Sequence, residues 1–183
     1  MIQIKNAAEL QKMRKACAIS AAALKAGGEA IEPGITTAEI DKIIYDFIVR
    51  HGARPNFLHL YGFPATACIS VNDTVIHGIP SKQQQIRPGD IVSIDTGCKI
   101  DGFNGDNACT YGCGKLDLEA QRLLDVTKES LHRGIEMARG GNRVGDIGHA
   151  VQTYVEENGF SVVRTFVGHG VGKELHEDPE APH

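Results

Sequence analysis

The sequence predicts an α/β (α+β) fold: two pseudo-symmetric halves with a central antiparallel sheet, the second half incomplete. Three observations carry this. Hydrophobic periodicity orders the chain as helix, helix, strands, helix, helix, strand. The stretches PGITTAEIDKIIYDFIVRHG and GGNRVGDIGHAVQTYVEENG superpose with a shift of 107, which sets Gly34 on Gly141, Ile40 on Ile147, Phe47 on Tyr154, Gly52 on Gly159 and Gly27 on Gly134. Residues 91–112, IVSIDTGCKIDGFNGDNACTYG, read as a hairpin that closes the first half. A second half of equal extent would run past residue 183. The expectation is one domain, residues 1–183, made of a first half, 1–112, and an incomplete second half, 113–183.

Each element has its own signal. Asn6 with Glu9 forms a capping-box pattern opening a helix that runs to about Gly27, with Leu10, Met13, Cys17 and Leu24 as its apolar positions. Thr36 with Glu39 repeats the signal, and the second helix carries Ile40, Ile43, Ile44, Phe47 and Ile48 on one face before stopping near Gly52. Two β-rich runs follow, ATACISV at 65–71 and the segment from Ile91, separated by loops at Pro80 and Pro88-Gly89. Helices are predicted at 117–139 and 144–157, then a strand at 161–167.

Composition narrows the function. With 42% hydrophobic and 23% charged residues the chain has enough apolar material for one sizeable core. A net charge of -4 without a long run of one sign argues against polyanionic partners, so no direct nucleic-acid binding is expected. No stretch approaches the roughly 20 apolar residues that span a bilayer, and MIQIKNAAEL lacks a signal-peptide core. A cytoplasmic protein without membrane contact is expected. The odd number of cysteines, Cys17, Cys68, Cys98, Cys109 and Cys113, suits reduced thiols. A zinc site from Cys98, Cys109 and Cys113 would lack the second spaced pair that such sites usually have.

The chemistry begins in the hairpin. Asp101-Gly102 suits a type I′ turn, both of whose central residues need positive φ. Pairing across it sets Ile100 opposite Phe103, Gly97 opposite Asp106 and Asp95 opposite Ala108. Asp95 and Asp106 then share a sheet face as diagonal neighbours, their Cβ atoms roughly 7 Å apart or somewhat less. Two carboxylates so placed repel each other where the dielectric is low, and a cation between them removes the conflict. Two acids on a wet strand face would be the alternative.

Three histidines stand beside glycines or prolines in loops near strands: His77 in VNDTVIHGIP, His169 in FVGHGVG and His176 in ELHEDP. His51, His59, His132, His149 and His183 read as surface, loop or terminal residues without a role.

VNDTVIHGIP, the Asp95 and Asp106 hairpin and GHGVGKELHEDP together resemble type I methionine aminopeptidases, metallopeptidases of the pita-bread fold that remove initiator methionine. The likeness spans the whole chain, lacks any amino-terminal extension and is similar to the short bacterial form. It implies that Asp95 chelates one of two divalent ions (Co, Mn, Fe or Zn), that Asp106 bridges both and that His169 is the imidazole ligand. It makes His77 and His176 catalytic, hydrogen-bonding the scissile peptide and steadying the tetrahedral intermediate. Phe57, Leu60, Phe63, Cys68 and Leu175 become the pocket for the methionine side chain. Peptide and nascent-chain N-termini are the implied substrates, with the ribosome as a neighbour during synthesis, and the complete enzyme is expected to be a monomer.

The family completes its site with two glutamates in later strands, and Glu174, Glu177 and Glu180 do not match them. Asn104 also replaces the histidine often found before Gly105-Asp106, and Gly97 replaces a bulkier or hydroxyl residue. The chain is therefore expected to be a truncated, poorly active form. The alternatives are an X-Pro peptidase of the same fold, against which HGIP argues, and a non-catalytic module of that fold, against which the retained Asp95, Asp106 and His169 argue.

Overall fold

The structure is a computed structural model that describes residues 1–182; His183 lies outside the described residues. Helix α1 (Ala7–Glu29) starts where Asn6 Oδ1 accepts from the Glu9 N–H at 3.0 Å and Glu9 Oε2 accepts from the Asn6 N–H at 3.0 Å. Helix α2 (Thr37–Arg50) opens on the same reciprocal pair, Thr36 and Glu39. Four antiparallel strands follow: β1 (Arg54–Pro55), β2 (Ala67–Val71), β3 (Ile91–Ile100) and β4 (Phe103–Gly112). Strand β4 pairs with the full length of β3, while β2 and the short β1 share its other edge. Asp101 and Gly102 turn the hairpin with φ of 52° and 83°, and the register is the expected one, with Ile100 opposite Phe103 and Gly97 opposite Asp106. Helices α3 (Leu118–Met137) and α4 (Val144–Glu157) and strands β5 (Gly168–Gly170) and β6 (Glu177–Ala181) complete the chain.

The chain divides into two compact units. The larger holds Ile4–Leu116 and Val171–Leu175; the smaller holds Met1–Gln3, Asp117–Gly170 and the residues from His176 onward.

In the larger unit, Ile40, Ile44 and Ile48 of α2 and Ala23 and Leu24 of α1 pack on Ile69, Val71, Val92 and Ile94 of the sheet. Of the expected apolar positions of α1, Leu24 is buried and Met13 and Cys17 are half-buried, but Leu10 is exposed, and the other buried residues are Ala16, Ser20, Ala23 and Gly27. Small size rather than hydrophobicity selects that face. A Cβ on Gly105 would stand 2.5 Å from the Ala16 carbonyl, so helix and strand meet backbone to backbone. Ser20 Oγ adds a hydrogen bond to Thr96 O at 2.9 Å.

The smaller unit repeats the larger one's helix geometry. A Cβ on Gly27 would meet Ile44 at 2.7 Å, and one on Gly134 would meet Val151, the residue equivalent to Ile44 under the 107-residue shift, at 2.8 Å. The Thr36 N–H donates to Glu39 Oε2 at 2.8 Å, and the Arg143 N–H donates to Asp146 Oδ2 at 2.7 Å. The strand expected at 161–167 is absent. That segment is irregular and mostly exposed, and a strand of three residues, β5, forms just after it. Apolar alternation alone did not suffice, since no strand among the described residues pairs with 161–167. No helix among the described residues is long and apolar enough to cross a membrane.

Candidate metal centre and side-chain pocket

Strand β3 sorts its side chains by face. Val92 and Ile94 point into the core, whereas Ser93, Asp95 and Gly97 alternate onto the other side, beside the cross-strand partners Thr110, Ala108 and Asp106. Asp95 and Asp106, both half-buried, therefore occupy one diagonal of a square whose other corners are the small residues Gly97 and Ala108. Repulsion between two carboxylates on one face fits a divalent cation, for which carboxylate oxygens are suitable donors.

Asn56 supports the fit. Its backbone N–H donates to Gly97 O at 3.2 Å, and its side chain fills the space that a Cβ on Gly97 would take, with Oδ1 2.5 Å from that position. Asn104 fixes which way this amide points. Asn104 Nδ2 donates to Gly172 O at 3.0 Å and Lys173 O at 2.9 Å, leaving Asn104 Oδ1 to accept from Asn56 Nδ2 at 3.3 Å. Asn56 Oδ1 is then a buried oxygen with no hydrogen-bond partner, over the residue that faces Asp106. The sequence reading missed Asn56; its signal was Gly97, since glycine inside a strand marks a close approach by another group.

Cys68 lies directly opposite Asp95 in the β2–β3 ladder. It also packs with Phe57 and Leu175 in a small apolar cluster against which Leu60 and Phe63 rest, so the structure brings all five expected pocket residues together. Burial, then the charges of Asp95, Asp106 and Asp41, pushes the Cys68 thiol up to about 12. The residue between the apolar cluster and the acids is thus a neutral thiol. Asp41 is held up by burial as well, and its Oδ1 accepts from the N–H groups of Thr66 at 2.9 Å and Ala67 at 2.8 Å, which anchors the start of β2 to α2.

His77 is also in the larger unit. The Gly78 N–H donates to Ser70 Oγ at 3.0 Å and Gly78 O accepts from the Ile69 N–H at 2.8 Å, which holds the His77–Gly78 segment alongside β2. His77 itself is exposed and left-handed, with φ of 56°. Non-glycine residues held this way cluster at functional sites.

His169 and His176 belong to the smaller unit, where their rings meet edge to face with centroids 4.5 Å apart. His169 Nδ1 lies 2.9 Å from Gly170 O. With Nδ1–H donating there, the lone pair sits on Nε2, the tautomer a metal-binding imidazole needs. Among the described residues, no group of three or more His, Cys, Asp or Glu side chains could hold a metal ion, the trio Cys98, Cys109 and Cys113 included.

Residues 11–183 match the pattern of metallopeptidase family M24. A methionine aminopeptidase from Clostridium perfringens is 52% identical over 182 residues, an alignment covering 100% of this chain and 73% of that protein. The crystal structure of a methionine aminopeptidase from Thermotoga maritima superposes with a TM-score of 0.97 at 41% identity, covering 100% of this chain and 73% of that one. A prolidase from Pyrococcus furiosus is similar with a TM-score of 0.85 at 25% identity, over 98% of this chain and 52% of its own.

Proposed function

The chain belongs to metallopeptidase family M24, and from that premise we propose that it is a methionine aminopeptidase whose acid pair and apolar pocket are joined at Cys68. That junction is the observation that carries the reading. An unbranched thioether side chain seated among Phe57, Leu60, Phe63, Cys68 and Leu175 would place its own α-amino group and first peptide bond toward Asp95 and Asp106. An exopeptidase needs this arrangement: one side chain recognised, one free amine bound, one peptide bond exposed.

Asp95, Asp106 and the His169 imidazole are the residues that would hold divalent ions. When bound, such ions supply the Lewis acidity that makes water a nucleophile at neutral pH. Two ions, with Co, Mn, Fe or Zn as candidates, follow from the family resemblance, and the oxygen and nitrogen donors are compatible with all four. His77 and His176 have the role of hydrogen-bonding the scissile carbonyl as charge develops on its oxygen. The two glutamates that complete the family's site match no residue of this sequence, so the 183 residues are proposed to be poorly active by themselves.

The recurring helix geometry supports two pseudo-symmetric halves, 1–112 and 113 onward, of one pita-bread domain. The five free thiols support a reducing, cytoplasmic setting, in which nascent chains at the ribosome supply N-terminal methionine. The X-Pro alternative is disfavoured by identity, 52% to the methionine aminopeptidase against 25% to the prolidase. Competition between Met-Ala-Ser and Ala-Pro peptides tests the choice: methionine release supports the reading and preferential Ala-Pro cleavage overturns it.

A further inference from the structure

We propose that Asn104 is a positioning residue for the methionine pocket, acting through Asn56 on one wall and through the 171–175 segment on the other. The inference rests on the pocket reading above. Phe57 and Leu175 both belong to the apolar cluster, and each comes from irregular backbone. Asn104, 2% exposed on β4, reaches both. Its backbone N–H donates to Gly172 O at 2.8 Å, and its Nδ2 donates to Gly172 O at 3.0 Å and Lys173 O at 2.9 Å, which fixes the backbone just before Leu175. Its Oδ1 accepts from Asn56 Nδ2 at 3.3 Å, which fixes the residue just before Phe57.

Gly97 makes this possible. Any Cβ there would lie 2.5 Å from Asn56 Oδ1 and 2.9 Å from its Nδ2, so the bridge requires glycine at the position across from Asp106. Asn104 and Gly97 thus act as one device. With both carboxamide ends committed, Asn104 sets the spacing of two walls that no strand ladder holds, and that spacing decides which side chain fits between them.

The test compares binding of L-methioninamide and L-alaninamide by calorimetry to the whole chain and to its variants, with Mn(II) titration and hydrogen exchange of residues 56–63 and 171–176 alongside. Asn104→Ala and the isosteric Asn104→Asp, which keeps the acceptor for Asn56 and loses the donors, are expected to weaken methioninamide about tenfold. Alaninamide and Mn(II) affinities should stay within about twofold, and both segments should exchange faster. Gly97→Ala, whose Cβ would press on Asn56 and on the Gly105 carbonyl, should produce the same loss, and the double variant should add little to it. Leu175→Ala and Phe57→Ala separate the two claims. If they leave methioninamide binding unchanged, the pocket reading falls and the proposal falls with it. If they weaken it while Asn104→Asp and Gly97→Ala leave both discrimination and exchange unchanged, the positioning role alone is overturned.

Discussion

Cys68 stands directly across the β2–β3 ladder from Asp95 while its other neighbours are Phe57 and Leu175. One thiol therefore stands between a charged face and an apolar cluster. Its ionisation, pushed up to about 12 by burial first and by Asp95, Asp106 and Asp41 next, keeps it neutral at physiological pH.

Thiol reactivity should follow this burial. Cys109 is exposed, whereas Cys68 and Cys98 are buried, with ionisation pushed to about 12 and about 11 mainly by desolvation. At pH 8 iodoacetamide is expected to label Cys109 first and Cys68 and Cys98 last, as read by mass spectrometry of digested samples. Labelling of Cys68 at the rate of Cys109 would show that the cluster around Cys68 is open to solvent.

Asp95→Asn and Asp106→Asn should each weaken Mn(II) binding by about 100-fold or more, since even residues behind the ligands are worth 10–100-fold. Calorimetric titration measures this. The metal-free variants should be no less stable than the parent, because each removes one of two like charges on a shared face.

Asp41 carries a pH signature. Its folded value is raised by burial, so the stability tied to its protonated form is fully present below the ordinary aspartate value and is lost as pH rises through the raised one. Asp41→Asn keeps the oxygen that accepts from Thr66 and Ala67 and carries no charge. In urea unfolding it should equal or exceed the parent at pH 7, with the advantage vanishing in acid. Asp41→Ala, which strands two N–H groups, should lose about 1–3 kcal/mol.

The contact of α1 with β4 depends on absent side chains. Gly105→Ala would put a Cβ 2.5 Å from the Ala16 backbone, and a loss of about 1–3 kcal/mol is expected from the forced separation. An unchanged unfolding midpoint would mean that helix and strand do not meet as described.

Local signals in the sequence reached far. The two capping boxes, the Asp101-Gly102 turn and the hairpin register follow from short-range chemistry, and each is where the residues put it. On α1 hydrophobicity marks Leu24 correctly and Leu10 wrongly, whereas packing selects Ala16, Ser20 and Ala23 for their size, a property of the partner strand as much as of the helix. Residues 161–167 carry strand-like composition without a paired neighbour, which no local pattern reveals. At the site, the diagonal of Asp95 and Asp106 was legible from the hairpin register. Asn56 was not, because its position depends on a vacancy at Gly97 more than forty residues away.

The most direct test is release of methionine from Met-Ala-Ser, measured beside cleavage of Ala-Pro. It uses the chain stripped and reloaded with Mn(II), alone and extended at its C-terminus with the segment of the Clostridium perfringens relative that lies beyond the alignment. Methionine release that is stronger in the extended form, abolished by Asp106→Asn and unaccompanied by Ala-Pro cleavage is the predicted result. Ala-Pro cleavage at an equal or higher rate, or methionine release that survives Asp106→Asn, would contradict the account.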